Sequence, residues 1–266
     1  MILVSGQEIT ADQYGDLSGS GSDAPIIIQA MAESQEQFAF PTRKELGFEV
    51  RMRSQTIGAA RSLQDSGAAF ATFYYSTCNE KLWTLTGDGG FELNSGVRPA
   101  DAIDDIFKNG ELYAFECATA MMIIFYKALI ESIEREKFNR LFQHIFLWDW
   151  QNHPFFPLRN AYHIGKGIPG DVRYFKNPQV NPQTPQWQGE NAVDLSGGLF
   201  YGHGIGIIPA EQMIVELNKF RKVGATVSAF LMNQATRPDY LSLAASDSDS
   251  RSGDIRITAG TSSYTF

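Results

Sequence analysis

Cysteine is nearly absent: Cys78 and Cys117 are the only two copies in 266 residues. Two thiols make neither a disulfide framework nor a cysteine-rich metal site, so the chain must be held by an apolar core, and a reducing compartment suits it at least during synthesis. Histidine is scarce as well, at four copies, and His144, His153 and His163 lack the helical or paired spacing of metal ligands. Positive charge is in deficit. With 22 Lys and Arg against 30 Asp and Glu, the net charge of -8 leaves no basic face for nucleic acid or anionic lipid, whereas amine-bearing or lysine-rich partners fit it. Long apolar runs are also missing. The run 118–126 is less than half of the roughly 20 residues a bilayer span needs, and Met1-Ile2-Leu3-Val4-Ser5 is too short for the apolar region of a signal peptide. The expectation is a soluble protein made and kept inside a cell. What is present, 43% hydrophobic residues, is enough for a full core in one globular domain.

The stretch 15–24 is rich in Gly, Ser and Asp and reads as a loop. Helical periodicity follows over 25–33 and 42–66, the second opened by Thr42 and Glu45 in capping-box spacing and stopped by Gly67. The period then changes. Residues 70–76 are β-branched and aromatic, as in a strand, and 82–86 with 91–93 flank Gly87-Asp88-Gly89-Gly90 as a hairpin. Pro99 opens a short helix that ends near Asn109-Gly110. Another begins at Cys117 and runs past Glu131, uncharged nearly all round at its start, as expected of a helix buried on several sides. Strands are expected at 145–150, 172–175, 192–195, 199–201 and 226–231, with a Pro- and His-containing loop over 151–170. An amphipathic helix covers 210–222, with Gly224 as its C-cap. From 242 onward the chain is Ser-, Asp- and Thr-rich and reads as a disordered tail, which makes 1–241 the catalytic domain and 242–266 an extension. Helices come early, strands dominate late, and the two do not alternate regularly. The fold class is therefore α+β on a mostly antiparallel sheet, with a central buried helix packed against it.

Cys117 stands directly ahead of its apolar helix. Unpaired amides in the first helical turn and the positive end of the macrodipole favour a thiolate, the species that attacks acyl carbons, while the neighbouring Glu116 carboxylate pulls the other way. The structural alternative is a small core residue that happens to begin a buried helix. A second region, 187–204, holds an acid and an imidazole on a hairpin. A two-residue turn at Ser196-Gly197 puts Glu190 opposite His203, and one at Gly197-Gly198 puts His203 opposite Ala192; both leave Glu190 and His203 on one face, whereas a three-residue loop separates them. Thiol, acid and imidazole together are the parts of a thiol acyl-transfer site. His203 alone also reads as a hydrogen-bonded structural histidine, with Gly202 and Gly204 marking tight backbone packing. Other signals fail. Gly165-Lys166-Gly167-Ile168-Pro169-Gly170 has dinucleotide glycine spacing, but Pro169 sits where the helix should begin. Asp247-Ser248-Asp249-Ser250-Arg251-Ser252 starts like a calcium loop, yet Arg251 takes a ligand position and Ser252 the place of the turn glycine. No metal site and no cofactor are expected. Cys78, in a turn after a strand, reads as a spectator.

Segments spread along most of the chain point to one family. They are Met1-Ile2-Leu3-Val4-Ser5-Gly6, Ala68-Ala69-Phe70-Ala71-Thr72-Phe73, Tyr113-Ala114-Phe115-Glu116-Cys117-Ala118-Thr119-Ala120, Tyr174-Phe175-Lys176-Asn177-Pro178, Gln186-Trp187-Gln188-Gly189-Glu190-Asn191, His203-Gly204-Ile205-Gly206 and Gln234-Ala235-Thr236-Arg237. Together they are specific, and the chain resembles the small protein-glutamine gamma-glutamyltransferases (transglutaminases) of bacterial spore coats. Residues 15–24 and 151–170 align poorly, and the tail after Asp239 extends past where the family usually ends. The resemblance implies a compact papain-like cysteine-hydrolase core with its thiol inside a tunnel. It also implies calcium-independent isopeptide cross-linking, through a cysteine thioester, between glutamine and lysine side chains of coat proteins. By motif it assigns the nucleophile to Cys117 and the acid/base to Glu190, with Glu116 as a partial substitute. Trp150 and Trp187 match substrate-binding aromatic positions near the tunnel, and His203 becomes a group that supports the base. A monomer is expected, in the mother-cell cytoplasm and then the spore coat. The rivals are a papain-like cysteine peptidase or amidase that uses the same thiol with water as acceptor, and a structural coat component in which Cys117 is core packing.

Overall fold

Thr42 and Glu45 close a reciprocal capping box, as their spacing predicts, and the helix they open is the longest in the computed structural model, which describes residues 1–14, 21–248, 256–259 and 262–265. Strands β1 (Ile2–Val4), β2 (Gln7–Ile9) and β3 (Phe38–Phe40) make a small sheet in the order β2-β1-β3, with helix α1 (Ala24–Glu33) in the connection to β3. The capped helix is α2 (Arg43–Asp65), which stops just before Gly67. After it come β4 (Ala69–Phe70), the hairpin of β5 (Trp83–Leu85) and β6 (Phe91–Leu93), helix α3 (Pro99–Lys108) and β7 (Ala114–Phe115). Helices α4 (Cys117–Ile130) and α5 (Arg135–Leu141) and strand β8 (Phe146–Leu147) follow. The parallel pair β4·β7 sets Phe70 beside Phe115, two residues before Cys117.

The second half builds the main sheet. Strands β9 (Leu158–Tyr162), β10 (Val172–Lys176), β11 (Gly189–Asp194), β12 (Leu199–Gly202), β13 (Gly206–Pro209) and β14 (Phe230–Pro238) lie in the order β13-β12-β11-β10-β14-β9, antiparallel throughout. Helix α6 (Ala210–Asn218) joins β13 to β14, α7 (Tyr240–Ser248) follows β14, and β15 (Arg256–Ala259) pairs with β16 (Ser262–Thr265). Helix α4 is the centre of the core. Every one of its residues except Lys127 is buried, and it packs on α2, α3 and β11, so its uncharged surface is explained by contact on several sides. At about 1.5–3 kcal/mol for each large apolar side chain removed from water, the run Met121 to Tyr126 makes this helix expensive to displace. A buried ionic cluster ties the sheet to α2. Asp171, at the start of β10, accepts from Arg53 of α2 at 2.7 Å and from Arg237 of β14 at 2.7 Å, and Arg53 also bonds Glu49 at 2.8 Å. These charges stay in a dry interior because each is paired.

Several expectations need correction. The strand read over 70–76 ends at Phe70, and Phe73–Tyr75 is a short 3-10 turn. The strand read over 145–150 is cut to Phe146–Leu147, because Asp149 takes a left-handed φ of 49° that ends any extended run. The loop read over 151–170 contains β9, an edge strand whose polar, half-exposed residues carry no alternating pattern. The last helix read over 210–222 stops at Asn218, and the strand read over 226–231 begins at Phe230 and continues to Pro238. The tail boundary at 242 falls inside α7, where Tyr240, Leu243 and Ala244 are buried and the helix packs on α2. A short apolar face was hidden there by a polar average. Most of the calcium-like stretch, 249–252, lies outside the described residues; its first acid, Asp247, pairs with Lys137 at 3.4 Å.

Candidate active site

Glu116 is the N-cap of α4. Its extended backbone turns the carboxylate back over the helix start, where one oxygen accepts the Ala118 N–H at 2.7 Å and the other accepts the Cys117 thiol at 2.9 Å. Cys117 is therefore held in the first turn with its S–H already aimed at a base. From the sheet side, Asn191 of β11 donates its side-chain amide to Sγ at 3.5 Å, and its backbone N–H reaches the sulfur too. Glu190, one residue earlier, is 1% exposed; its carboxyl accepts the backbone N–H of His203, while Oε1 has no hydrogen-bond partner in the structure.

Cys117 and Glu190 share a low-dielectric space with Glu116 beside them, and that shifts both. Burial drives the Cys117 thiol well above its ordinary value, and the neighbouring Glu190 and Glu116 carboxyls push it further. Burial likewise raises Glu190 well above the carboxylate range, with Glu116 adding to the effect. Both shifts favour the protonated forms, a thiol beside a neutral Glu190. Desolvation and two adjacent carboxyls act against the thiolate that the helix N-terminus and the Asn191 bonds favour.

The hairpin takes the third of the possible registers. Ala192 faces Gly202 and Asp194 faces Phe200, which leaves a three-residue turn of Ser196, Gly197 and Gly198, all with left-handed φ of 60–78°. Glu190 and His203 consequently do not meet side chain to side chain, and the expectation of a shared face is corrected. The His203 imidazole lies flat on Phe115 at 4.6 Å, receives the Tyr201 hydroxyl at Nδ1 at 2.9 Å and donates from Nε2 to the Ala69 carbonyl at 3.1 Å. Burial lowers its pKa to about 4, so it is neutral across the physiological range. His203 reaches Glu190 through its backbone amide, and its ring fastens β12 to β4 and β7.

A cavity of about 630 Å³ opens onto the sulfur. Glu116, Cys117, Asp149, Trp150, Tyr174 and Asn191 form part of its wall, which among the described residues carries no Lys, Arg or His. Trp150 thus stands where a substrate-facing aromatic was expected. Trp187 stacks flat on Phe220 at 4.4 Å and leans on Phe70 at 5.3 Å; the cavity wall beside it comes from Gln186 and Gln188. Cys78 is half-buried, with its thiol pushed up to about 11 by burial and by Glu80, and it does not line this cavity. Among the described residues, no three His, Cys, Asp or Glu side chains are grouped so that they could hold a metal ion. Sequence reasoning missed Asn191, Tyr174 and Asp149. Asn191 follows Glu190 directly, but its role depends on which strand crosses the start of α4, and no local spacing encodes that.

Comparison with known proteins identifies the family. The family model of protein-glutamine gamma-glutamyltransferase matches residues 1–247. A protein-glutamine gamma-glutamyltransferase of Halalkalibacterium halodurans is 43% identical over 243 residues, 91% of this chain and 84% of the relative. One from Bacillus cereus is 48% identical over 215 residues, 80% of this chain and 77% of that one. Among solved structures, the transglutaminase from Geobacillus stearothermophilus without its C-terminal extension superposes with a TM-score of 0.75 at 48% identity, covering 78% of this chain and 99% of that one. The match bears out the mixed helix and sheet core.

Proposed function

Given that the chain belongs to the protein-glutamine gamma-glutamyltransferase family, we propose that it joins glutamine and lysine side chains through a thioester on Cys117. The observation that carries this reading is the Cys117 thiol bonded at 2.9 Å to Glu116, beside a buried Glu190 whose pKa burial raises, at the wall of an open cavity. Cys117 attacks the carboxamide carbon of a substrate glutamine as its proton passes to Glu116. Glu190 gives its proton to the departing nitrogen, which leaves as ammonia. The lysine amine, in its neutral form, then attacks the thioester and yields a proton to the Glu190 carboxylate, while the released sulfur recovers its proton from Glu116. Both carboxyls return to their starting states. Because the Ala118 amide is occupied by Glu116, the oxyanion falls to the Cys117 amide and the Asn191 side chain. Trp150 gives the amine an apolar path, and Trp187 supports the neighbouring loop.

The reading extends to calcium independence, which is supported by the failed calcium-loop pattern at 247–252 and by a site whose proton acceptors need no ion. It also extends to coat proteins as substrates and to the mother-cell cytoplasm and then the spore coat as location, on the strength of the spore-coat resemblance. Action as a monomer is part of the same reading. The deciding experiment is mass spectrometry of the protein after incubation with a glutamine peptide and no amine. An adduct on Cys117 that disappears on adding lysine is expected, together with ammonia release that persists in EDTA. Fragments of the peptide backbone in place of the adduct would favour the peptidase.

A further inference from the structure

Asp149 is a half-buried acid on the cavity wall with no use in the reaction as written. Its backbone sits at a left-handed φ of 49°, a conformation that Asp tolerates but that must be held by its surroundings. The holding groups are visible. The Asp149 N–H donates to Thr119 Oγ1 at 3.0 Å, two residues beyond Cys117 on α4, so the acid is indexed to the nucleophile's own helix. On one side the Trp148 indole is pinned to the Asp88 carbonyl at 3.0 Å and packs on Phe73, and on the other Trp150 faces the cavity. The Asp149 carboxylate has neither a hydrogen bond nor an ion pair among the described residues. A cavity wall that lacks basic side chains also offers it no counter-charge.

A carboxylate on a backbone held in place, next in sequence to a tryptophan of the same cavity wall and with no cation of its own, is a receptor for a cation on an alkyl stem. We propose that Asp149, with Trp150, is the recognition site for the acyl acceptor, capturing the primary alkylammonium of the incoming lysine before its neutral form attacks the thioester. This rests on the acyl-transfer reading and deepens it by dividing the cavity: Cys117, Glu116 and Asn191 handle the glutamine, and Asp149 selects the amine. The pairing has to be weak, since a strong ion pair would hold the amine in its unreactive protonated form, and the half-exposed position of Asp149 provides that.

The test uses the full-length enzyme with a fixed glutamine dipeptide and two nucleophiles, cadaverine, which is cationic at neutral pH, and hydroxylamine, which is not. Asp149→Asn keeps the tolerance for left-handed backbone and should raise KM for cadaverine by roughly twofold to fivefold, the range of a half-exposed ion pair, with kcat/KM for hydroxylamine changed by less than that. Asp149→Glu should recover part of the loss. In the unmodified enzyme, KM for cadaverine should climb with ionic strength and KM for hydroxylamine should not. An equal effect of Asp149→Asn on both nucleophiles, or a cadaverine KM indifferent to salt, overturns the assignment. Absence of ammonia release from the dipeptide by the unmodified enzyme would instead remove the acyl-transfer reading itself.

Discussion

Gly202→Ala tests whether the buried position of Glu190 matters. Gly202 lies opposite Ala192 at the end of β12, outside the left-handed region, so alanine there carries no backbone strain of its own. The obstacle is steric. A Cβ at 202 would stand 2.9 Å from Glu190 Cγ, 3.0 Å from Glu190 Oε1 and 3.0 Å from Met213 Cε. Carbon atoms settle about 3.5–4.0 Å apart, so Glu190 must retreat by roughly 0.5–1 Å, with Met213 yielding alongside. Overpacking of this kind costs about 1–3 kcal/mol, or roughly 2–10 °C in Tm for a chain of this size. A catalytic group moved by about 1 Å can lose on the order of 10²-fold in rate. The assay is single-turnover ammonia release from a glutamine peptide, read beside the thermal midpoint. The control is Gly204→Ala, whose Cβ would meet Phe70 Cβ at 2.7 Å and which has a φ of +97°, so it should destabilise at least as much without touching Glu190. If Gly202→Ala melts lower yet acylates like the unmodified protein, Glu190 has no positional role and the acid/base assignment falls.

Glu116→Gln should move two readouts in opposite directions: iodoacetamide should modify Cys117 faster at a given pH, because a charge that raises the thiol pKa is gone, while acylation slows for want of the proton acceptor. In the unmodified protein, alkylation should accelerate only as pH climbs above the ordinary thiol range, and rapid modification at neutral pH would contradict the protonated resting site. Asn191→Ala should reduce acylation by on the order of 10²-fold with little change in fold, as checked by circular dichroism. Glu190→Gln should cost more turnover than His203→Asn, whose loss should appear chiefly in Tm, since that ring bonds Tyr201 and Ala69 and not the thiol. Asp171→Ala should destabilise by about 3–5 kcal/mol in urea unfolding, because Arg53 and Arg237 would be left buried without their partner. For that aspartate burial raises the pKa, but the two guanidinium groups outweigh it and hold it low; its stabilisation is therefore present above the usual carboxylate range and lost as pH falls through the lowered value.

What could be read from the sequence was what local chemistry encodes. Thr42 and Glu45 announce α2 because a capping box is a four-residue device, and the uncharged start of the Cys117 helix announces burial because any charge there would go unpaired. The hairpin register was open because Ser196-Gly197-Gly198 supports several turns. The structure takes three left-handed residues in a row, including a non-glycine, and that one-residue difference separates Glu190 from the His203 ring. Asp149 was invisible for a related reason: an aspartate between two tryptophans looks like the middle of a strand, whereas the Thr119 bond, the Trp148 indole contacts and the Gln151 N–H to the Trp148 carbonyl hold it in a turn. Helix α7 was lost to averaging, since Tyr240, Leu243 and Ala244 form a short apolar face ahead of an Asp- and Ser-rich run.

The electrostatics of the site also explain why a nucleophile can be stored without ionising. A thiolate–imidazolium pair holds opposite charges in contact and needs a base that can be cationic at neutral pH. The imidazole here is excluded from that role twice, by a pKa near 4 and by a ring already bonded at both nitrogens. In its place stand two carboxyls that both raise the thiol pKa, so proton transfer from sulfur is uphill until a bond to carbon takes up the electron pair left on it. In the proposed reaction a glutamine carboxamide does this in one motion, because sulfur bonds to its carbon as the thiol proton moves to Glu116 and the departing nitrogen takes the proton of Glu190. Charge is then redistributed within the cluster and never accumulates on a free thiolate. Water and stray electrophiles meet a neutral thiol, and reactivity appears when the substrate amide completes the proton circuit.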